Sequence, residues 1–387
     1  MKIVADQNML MVDHFFGEFG SISYVPGRDL CPADIVDADI LLVRSVTQVN
    51  QALLENSSVS FVGSATIGTD HIDRDYLAQR GIAFAYAPGC NADAVVQYDL
   101  SVISRLQANW LHSTVGIVGC GNDGGRLYRA LTKLGVSCNA YDPFLGPDSG
   151  FDLVDFDSLL NSDIICVHTP LTQSGPYPTE HLFNRQVLAQ IDPASLLLNA
   201  GRGAVIDNAA LLELLESGSG LRVALDVWED EPCVSVPLMD RVAMATPHIA
   251  GYSVEGKVRG TEMLADAFKA LSSSKANTDT ELGIEKDIDS LEEKSKSAPA
   301  LTPVTAETVS ELILASYDVA EDDLRMRNAL ANSSDIGQTF DRLRKQYPER
   351  HEFGCYQLSA SGLTGGTAAA RAELKEQALK LGFIYSA

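Results

Sequence analysis

Short apolar runs separated by helix-compatible stretches set the rhythm of the first hundred residues. Lys2–Asp6 and residues 22–25, 40–44, 60–63 and 82–86 read as strands, each followed by a segment able to coil into a helix. Such alternation predicts a parallel sheet with helices on its faces. Over 92–107 the period lengthens, and Val95, Val96, Leu100, Ile103 and Leu106 share one face of a long helix. The strand–helix alternation restarts at Thr114, with strands expected at 136–141, 163–168, 195–200, 221–227 and 242–245 and a returning helix at 254–271. A stretch rich in Ser, Lys, Glu, Asp and Thr over 272–300 then reads as a polar linker. Beyond it, helix patterns at 306–317 and 368–381 flank a possible strand at 354–359, a small α+β unit.

Length supports this division, since 387 residues suffice for two or three cores. The chain carries 52 acidic against 29 basic residues, a formal charge of −23, which argues against nucleic-acid or anionic-membrane partners. An anionic ligand would therefore need positive charge concentrated at its site. Seven cysteines without a C-x-x-C pair, a first strand in place of a signal peptide, and no bilayer-length apolar run point to a cytosolic protein with reduced thiols and no metal site.

Three glycines change the picture from fold to chemistry. Gly119-x-Gly121-x-x-Gly124 follows an apolar strand and opens a helix, the spacing of a dinucleotide-binding turn. Its glycines permit a tight turn, backbone approach to a pyrophosphate and close helix–strand packing, while the helix start offers unpaired N–H groups. Asp142 ends the next strand eighteen positions after the third glycine, where a carboxylate would meet ribose hydroxyls and repel a 2′-phosphate, favouring NAD over NADP. Arg202, Glu231 and His248 lie at or after later strand ends. Histidine suits proton transfer near neutrality, a carboxylate can orient its ring, and arginine's planar fork matches a substrate carboxylate. A second group, Arg44-Ser45-Val46-Thr47 with Ser64 and Thr66 nearby, could cradle an anion or simply cap loops.

These motifs, together with Asn199-Ala200-Gly201-Arg202-Gly203, Asp226-Val227-x-x-x-Glu231-Pro232 and Pro247-His248-Ile249-Ala250, resemble the NAD-dependent D-2-hydroxyacid dehydrogenase family over residues 1–271. The resemblance implies two Rossmann-like, doubly wound parallel-sheet domains with the active site between them. It implies a discontinuous, flavodoxin-like substrate-binding domain over 1–95 and 253–280, an NAD-binding domain over 96–252, and a linker with a C-terminal dimerisation domain over 281–387. It further implies Arg202 on the substrate carboxylate, His248 as acid/base and Glu231 as its partner. Contacts to NAD would come from Gly119, Gly121, Asn122, Asp123, Gly124, Asp142, Thr169, Ala200, Gly201, Asp226 and Gly251, and contacts to substrate from Arg44, Ser45, Thr66 and Tyr252. Within the family, Gly68-Thr69-Asp70-His71, the stretch from His248 to Lys257 and the C-terminal motifs are most similar to a homodimeric branch acting on a small, phosphorylated four-carbon hydroxy acid. The rivals are a dehydrogenase of 3-phosphoglycerate and a non-catalytic, NAD-sensing corepressor-like protein.

Two residues depart from the family pattern. Gln97 stands where glutamate is usual, and Asp123 lies inside the glycine turn where an apolar residue is usual, which puts NAD affinity in question. In the tail, Arg342, Arg344, Lys345 and Arg350 form a basic run in an acidic chain. A dimer could bring it to the partner's phosphate site, or it could be a solvated helix face.

Overall fold

A computed structural model describes residues 1–273 and 301–386; the expected linker falls almost wholly outside them. The chain divides into two compact units, one of Met1–Asn91 with the segment from Ser253, the other of Ala92–Tyr252 with Pro299–Ala387. The first holds strands β1 (Lys2–Asp6), β2 (Ser21–Val25), β3 (Ile40–Val43), β4 (Phe61–Ser64) and β5 (Ala83–Tyr86), all parallel, in the order β2-β1-β3-β4-β5. This is the doubly wound order of flavodoxin-like sheets. Because successive side chains alternate faces, Ile40 and Leu42 enter one core while Leu41 and Val43 enter the other. Leu264, Ala265 and Phe268 of helix Val254–Ser273 seal the first core, and Leu77 of helix Arg74–Arg80 helps seal the second.

The second unit carries β6 (Thr114–Val118), β7 (Ser137–Tyr141), β8 (Ile164–Val167), β9 (Leu196–Asn199), β10 (Arg222–Leu225) and β11 (Met244–Ala245), in the parallel order β11-β10-β9-β8-β6-β7. The order reverses at β6, so a crevice opens outside the carboxyl ends of β6 and β8, where such sheets take their ligands. Strands β8 and β9 are buried throughout, as expected for central parallel strands covered on both faces.

The C-terminal region forms its own parallel sheet, β12 (Thr302–Ala306), β13 (Tyr356–Leu363) and β14 (Ile384–Ser386) in that order. Helices Val309–Ser316, Val319–Ala331, Ile336–Lys345 and Ala368–Lys380 connect its strands. The helix expected from 306 begins instead at Val309, where the Thr308 side chain accepts from Glu311 N, and Thr302–Ala306 is strand. Pro303 and its β-branched neighbours explain the difference. The region is bound into the second unit by specific polar contacts. Asp323 Oδ1 accepts from Ala245 N of edge strand β11 at 2.7 Å, Arg327 donates to the carbonyls of Met239 and Val242, and Ser101 Oγ donates to Tyr317 O. Among the described residues no helix is long and apolar enough to cross a membrane.

Candidate active site

The glycine turn joins β6 to helix Asn122–Lys133. Gly119 has φ +88°, and a Cβ there would stand 3.1 Å from the His168 backbone and 3.0 Å from Thr169 Cγ2. Gly124 is tighter still, since its Cβ would lie 2.0 Å from Gly119 O. Gly121, the N-cap, faces open space, leaving the helix's unpaired N–H groups accessible. Asp142, just past β7, braces the turn by accepting from Cys120 N at 3.0 Å and Phe144 N at 3.1 Å. Thr169, after β8, buries a hydroxyl with no hydrogen-bond partner among the described residues. Ala200 and Gly201 follow β9, and Gly201 N donates to Asn199 Oδ1 at 3.0 Å. An orphaned hydroxyl, an open helix start and a side-chain-free turn at the carboxyl ends of β6, β8 and β9 fit a dinucleotide.

His248 lies in the loop after β11, in left-handed backbone conformation at φ +56°. Its Nδ1 is 2.8 Å from Glu231 Oε2, and the Glu231 Oε1 accepts from Trp228 N at 2.8 Å. Burial pushes the Glu231 carboxyl up, but His248, the Trp228 N–H and Arg344 outweigh it and hold the group below its ordinary pKa. One-third of the His248 side chain stays exposed, which keeps the ring accessible. The loop is held from beneath by Asp226, whose Oδ1 accepts from Ile249 N and Thr246 Oγ1 and whose Oδ2 accepts from Ala250 N. Both Asp226 oxygens are thus engaged in shaping the loop that carries His248, Gly251 and Tyr252.

Arg202 projects from the loop after β9, its Nη1 donating to Gly201 O at 2.9 Å and its carbonyl accepting from Asn199 Nδ2. A Cβ on Gly203 would sit 2.0 Å from the Trp228 carbonyl carbon. The Arg202 and Trp228–Glu231 loops therefore pack backbone to backbone, which ties Arg202 to the Glu231–His248 pair.

Beneath the glycine turn lies a cluster whose combined role the sequence hid. His168 Nε2 is 3.3 Å from Asp99 Oδ2, an ion-pair distance without hydrogen-bond alignment, and both side chains are fully buried. Asp123 belongs to the same group, with Oδ1 buried and without a hydrogen-bond partner among the described residues. Burial raises the pKa of Asp123 despite the opposing fields of His168, Arg202 and Arg126, and raises that of Asp99 despite His168. Burial opposes the charged His168 ring, but Asp99 and then Asp123 prevail and lift its pKa. Gln97 is also fully buried; its Nε2 donates to His351 O at 3.0 Å, a bond an ionised glutamate could not make.

In the first unit, Val43 pairs with Ser64 across β3 and β4, which brings the Arg44–Thr47 and Ser64–Thr66 loops side by side. Thr66 Oγ1 lies 2.7 Å from Ser64 Oγ, which is 2.9 Å from His71 Nε2. Thr47 is buried and donates to Gly27 O, whereas Ser45 is exposed. The basic run of the tail divides: Arg342 and Lys345 are exposed, Arg344 is half-buried and Arg350 buried in their own chain.

Residues 101–250 match the family model described as D-isomer specific 2-hydroxyacid dehydrogenase, NAD binding domain, and residues 296–376 match a domain of unknown function, DUF3410. The chain is 46% identical to the erythronate-4-phosphate dehydrogenase of Teredinibacter turnerae over 95% of its length and 98% of the relative's. It is 47% identical to the protein of that name from Saccharophagus degradans, over 93% and 95% of the two chains. The solved structure of NAD+-bound 3-phosphoglycerate dehydrogenase from Entamoeba histolytica superposes with a TM-score of 0.61 at 20% identity, over 71% of this chain and 96% of that one. An Aquifex aeolicus D-lactate dehydrogenase, complexed with NAD and lactic acid, gives 0.59 at 21% identity, over 70% and 96%.

Proposed function

The chain belongs to the erythronate-4-phosphate dehydrogenase family, and we propose that His248, Glu231 and Arg202 carry its chemistry. The reaction is oxidation of 4-phospho-D-erythronate to (R)-3-hydroxy-2-oxo-4-phosphooxybutanoate, a step of pyridoxal 5′-phosphate biosynthesis, with NAD as cofactor. The observation that carries the residue roles is the 2.8 Å contact from His248 Nδ1 to Glu231, which leaves Nε2 free to take the substrate's C2 hydroxyl proton. A bound NAD would supply the acceptor for the C2 hydride. Glu231 holds the ring's orientation and stabilises the imidazolium that forms. Arg202 takes the C1 carboxylate in a two-point grip. Gly119, Gly121, Asn122 and Gly124 receive the pyrophosphate, Asp142 the ribose, and Thr169, Ala200, Gly201, Asp226 and Gly251 the remaining contacts.

Ser45 and Thr66, with Arg44, are the ligands we assign to the phosphorylated end of the substrate in the first unit, joined by Tyr252. Residues 1–95 with 253–280 then act as the substrate-binding domain, 96–252 as the NAD-binding domain, and 281–387 as linker and dimerisation domain of a cytosolic homodimer. Comparing kcat/KM for 4-phosphoerythronate and 3-phosphoglycerate with NAD tests the substrate. A preference for 3-phosphoglycerate would overturn it, and tight NAD binding without turnover of either would favour the sensor reading.

A further inference from the structure

Two arginines of the C-terminal region enter the loop that carries His248. Arg350, buried, donates to Ala250 O and, at 3.2 Å, to Ala94 O, with its guanidinium 4.4 Å from the centre of the Tyr317 ring. Asp226 holds the same loop through Ile249 N and Ala250 N, so the segment is gripped from two sides. Arg344, in the last turn of helix Ile336–Lys345, places its guanidinium 5.8 Å from the centre of the Tyr252 ring. The groups facing its cation are Tyr252, Glu231 and Asp226, while the Tyr347 ring packs edge-on against Tyr252 at 5.7 Å. Its Nε is buried and has no hydrogen-bond partner among the described residues. An apolar side chain would fill this space without the cost of desolvating a cation. What the guanidinium adds is a cation over the Tyr252 ring and a positive charge toward Glu231.

We propose that Arg344 is a positioning residue for the dehydrogenation, supplied by the C-terminal region to its own chain: it fixes Tyr252 and sets the charge that faces Glu231. The proposal rests on the Glu231–His248 pair being the acid–base machinery. As His248 takes the hydroxyl proton, its imidazolium needs an ionised Glu231, and Arg344 adds its field to those of His248 and the Trp228 N–H in favouring that charged form. The C-terminal region is then part of the active centre's support in addition to any part in assembly.

The test uses the two tryptophans of the chain, Trp110 and Trp228. In a Trp110→Phe background the emission of Trp228, whose backbone N–H donates to Glu231 Oε1 while its indole N–H donates to Thr246 O, follows the protonation of that neighbouring carboxylate without substrate or cofactor. The acid transition moves up by about one pH unit in Arg344→Met, returns in Arg344→Lys and vanishes in Glu231→Gln. In the same Met variant, kcat/KM for 4-phosphoerythronate falls by about tenfold or more while the NAD Kd holds, and lysine restores part of the loss. An unmoved transition, or an activity loss that merely tracks a fall in Tm, overturns the proposal. A transition that moves in a protein whose parent turns over no 4-phosphoerythronate overturns the substrate reading and leaves Arg344 in its role.

Discussion

Replacing Asp123 by Asn tests how a dinucleotide-binding turn works with a carboxylate inside it. Asp123 is the second residue of helix Asn122–Lys133, and its buried Oδ1 has no hydrogen-bond partner among the described residues. A pyrophosphate at the helix start would stand within about one helical turn. At roughly 7 Å and an effective dielectric near 20, each pair of unit charges costs about 2.4 kcal/mol. Protonation caps that cost, because the carboxyl, already raised by burial, can take up a proton for about 1.4 kcal/mol per pH unit above its free-protein pKa. The sign follows from linkage: cofactor binding raises the Asp123 pKa further, so binding takes up a proton and affinity improves as pH falls through the window between the two values. Titration calorimetry from pH 6 to 8.5 should show the NAD Kd rising by up to about tenfold per pH unit within that window. Proton uptake, read from buffers of different ionisation enthalpy, should accompany it. Asp123→Asn should bind about ten- to thirtyfold more tightly at the alkaline end and lose most of the pH dependence, His168 contributing the remainder. Parallel pH profiles for the two proteins, or an Asn variant no tighter than the parent, would refute the reasoning.

His248→Ala should lower turnover at least about a hundredfold while the NAD Kd, measured by fluorescence quenching, is retained. Arg202→Lys keeps the charge but loses the planar fork, so steady-state kinetics should show KM for 4-phosphoerythronate raised by about ten- to a hundredfold. Gly124→Ala would drive a Cβ to 2.0 Å from Gly119 O, and chemical denaturation should report a loss above about 3 kcal/mol together with lost NAD binding.

The glycine turn and Asp142 were readable because each follows a strand directly, whereas Arg202, Glu231 and His248 come three, six and three residues after β9, β10 and β11 and were singled out by their motifs. Strand limits fell within two residues of the expected ones along β1 to β10, where apolar runs are bounded by polar turns. The C-terminal region was harder to read. Helix Val319–Ala331 mixes Asp, Arg and Asn among its apolar positions, because its polar residues brace β11 and the Met239–Val242 segment instead of facing water alone. Asp99 was legible but passed over: spaced three and four residues from Val96, Val95 and Ile103, it shares the apolar face of helix Ala92–Leu106 and is buried against His168. Arg344 and Arg350 were visible only as a basic run, since which chain they serve is set by contacts about a hundred residues away in sequence.

These hidden residues also resolve the contradiction between a chain of charge −23 and anionic ligands. Surface carboxylates beyond a Debye length of about 8 Å are largely screened at physiological salt, so the global charge says little about the field inside a site. That field is local. Arg202 and His248 stand at strand ends, His168 and Arg126 act on Asp123, and Arg344 faces Glu231 from the C-terminal region. The acids inside the cluster differ in kind from those outside. Burial raises the pKa of Asp99 and Asp123, so an approaching phosphate can drive them toward neutrality, whereas an exposed carboxylate keeps its charge. Glu231 is the exception: it alone of the three is held below its ordinary pKa, by His248, the Trp228 N–H and Arg344 of the C-terminal region.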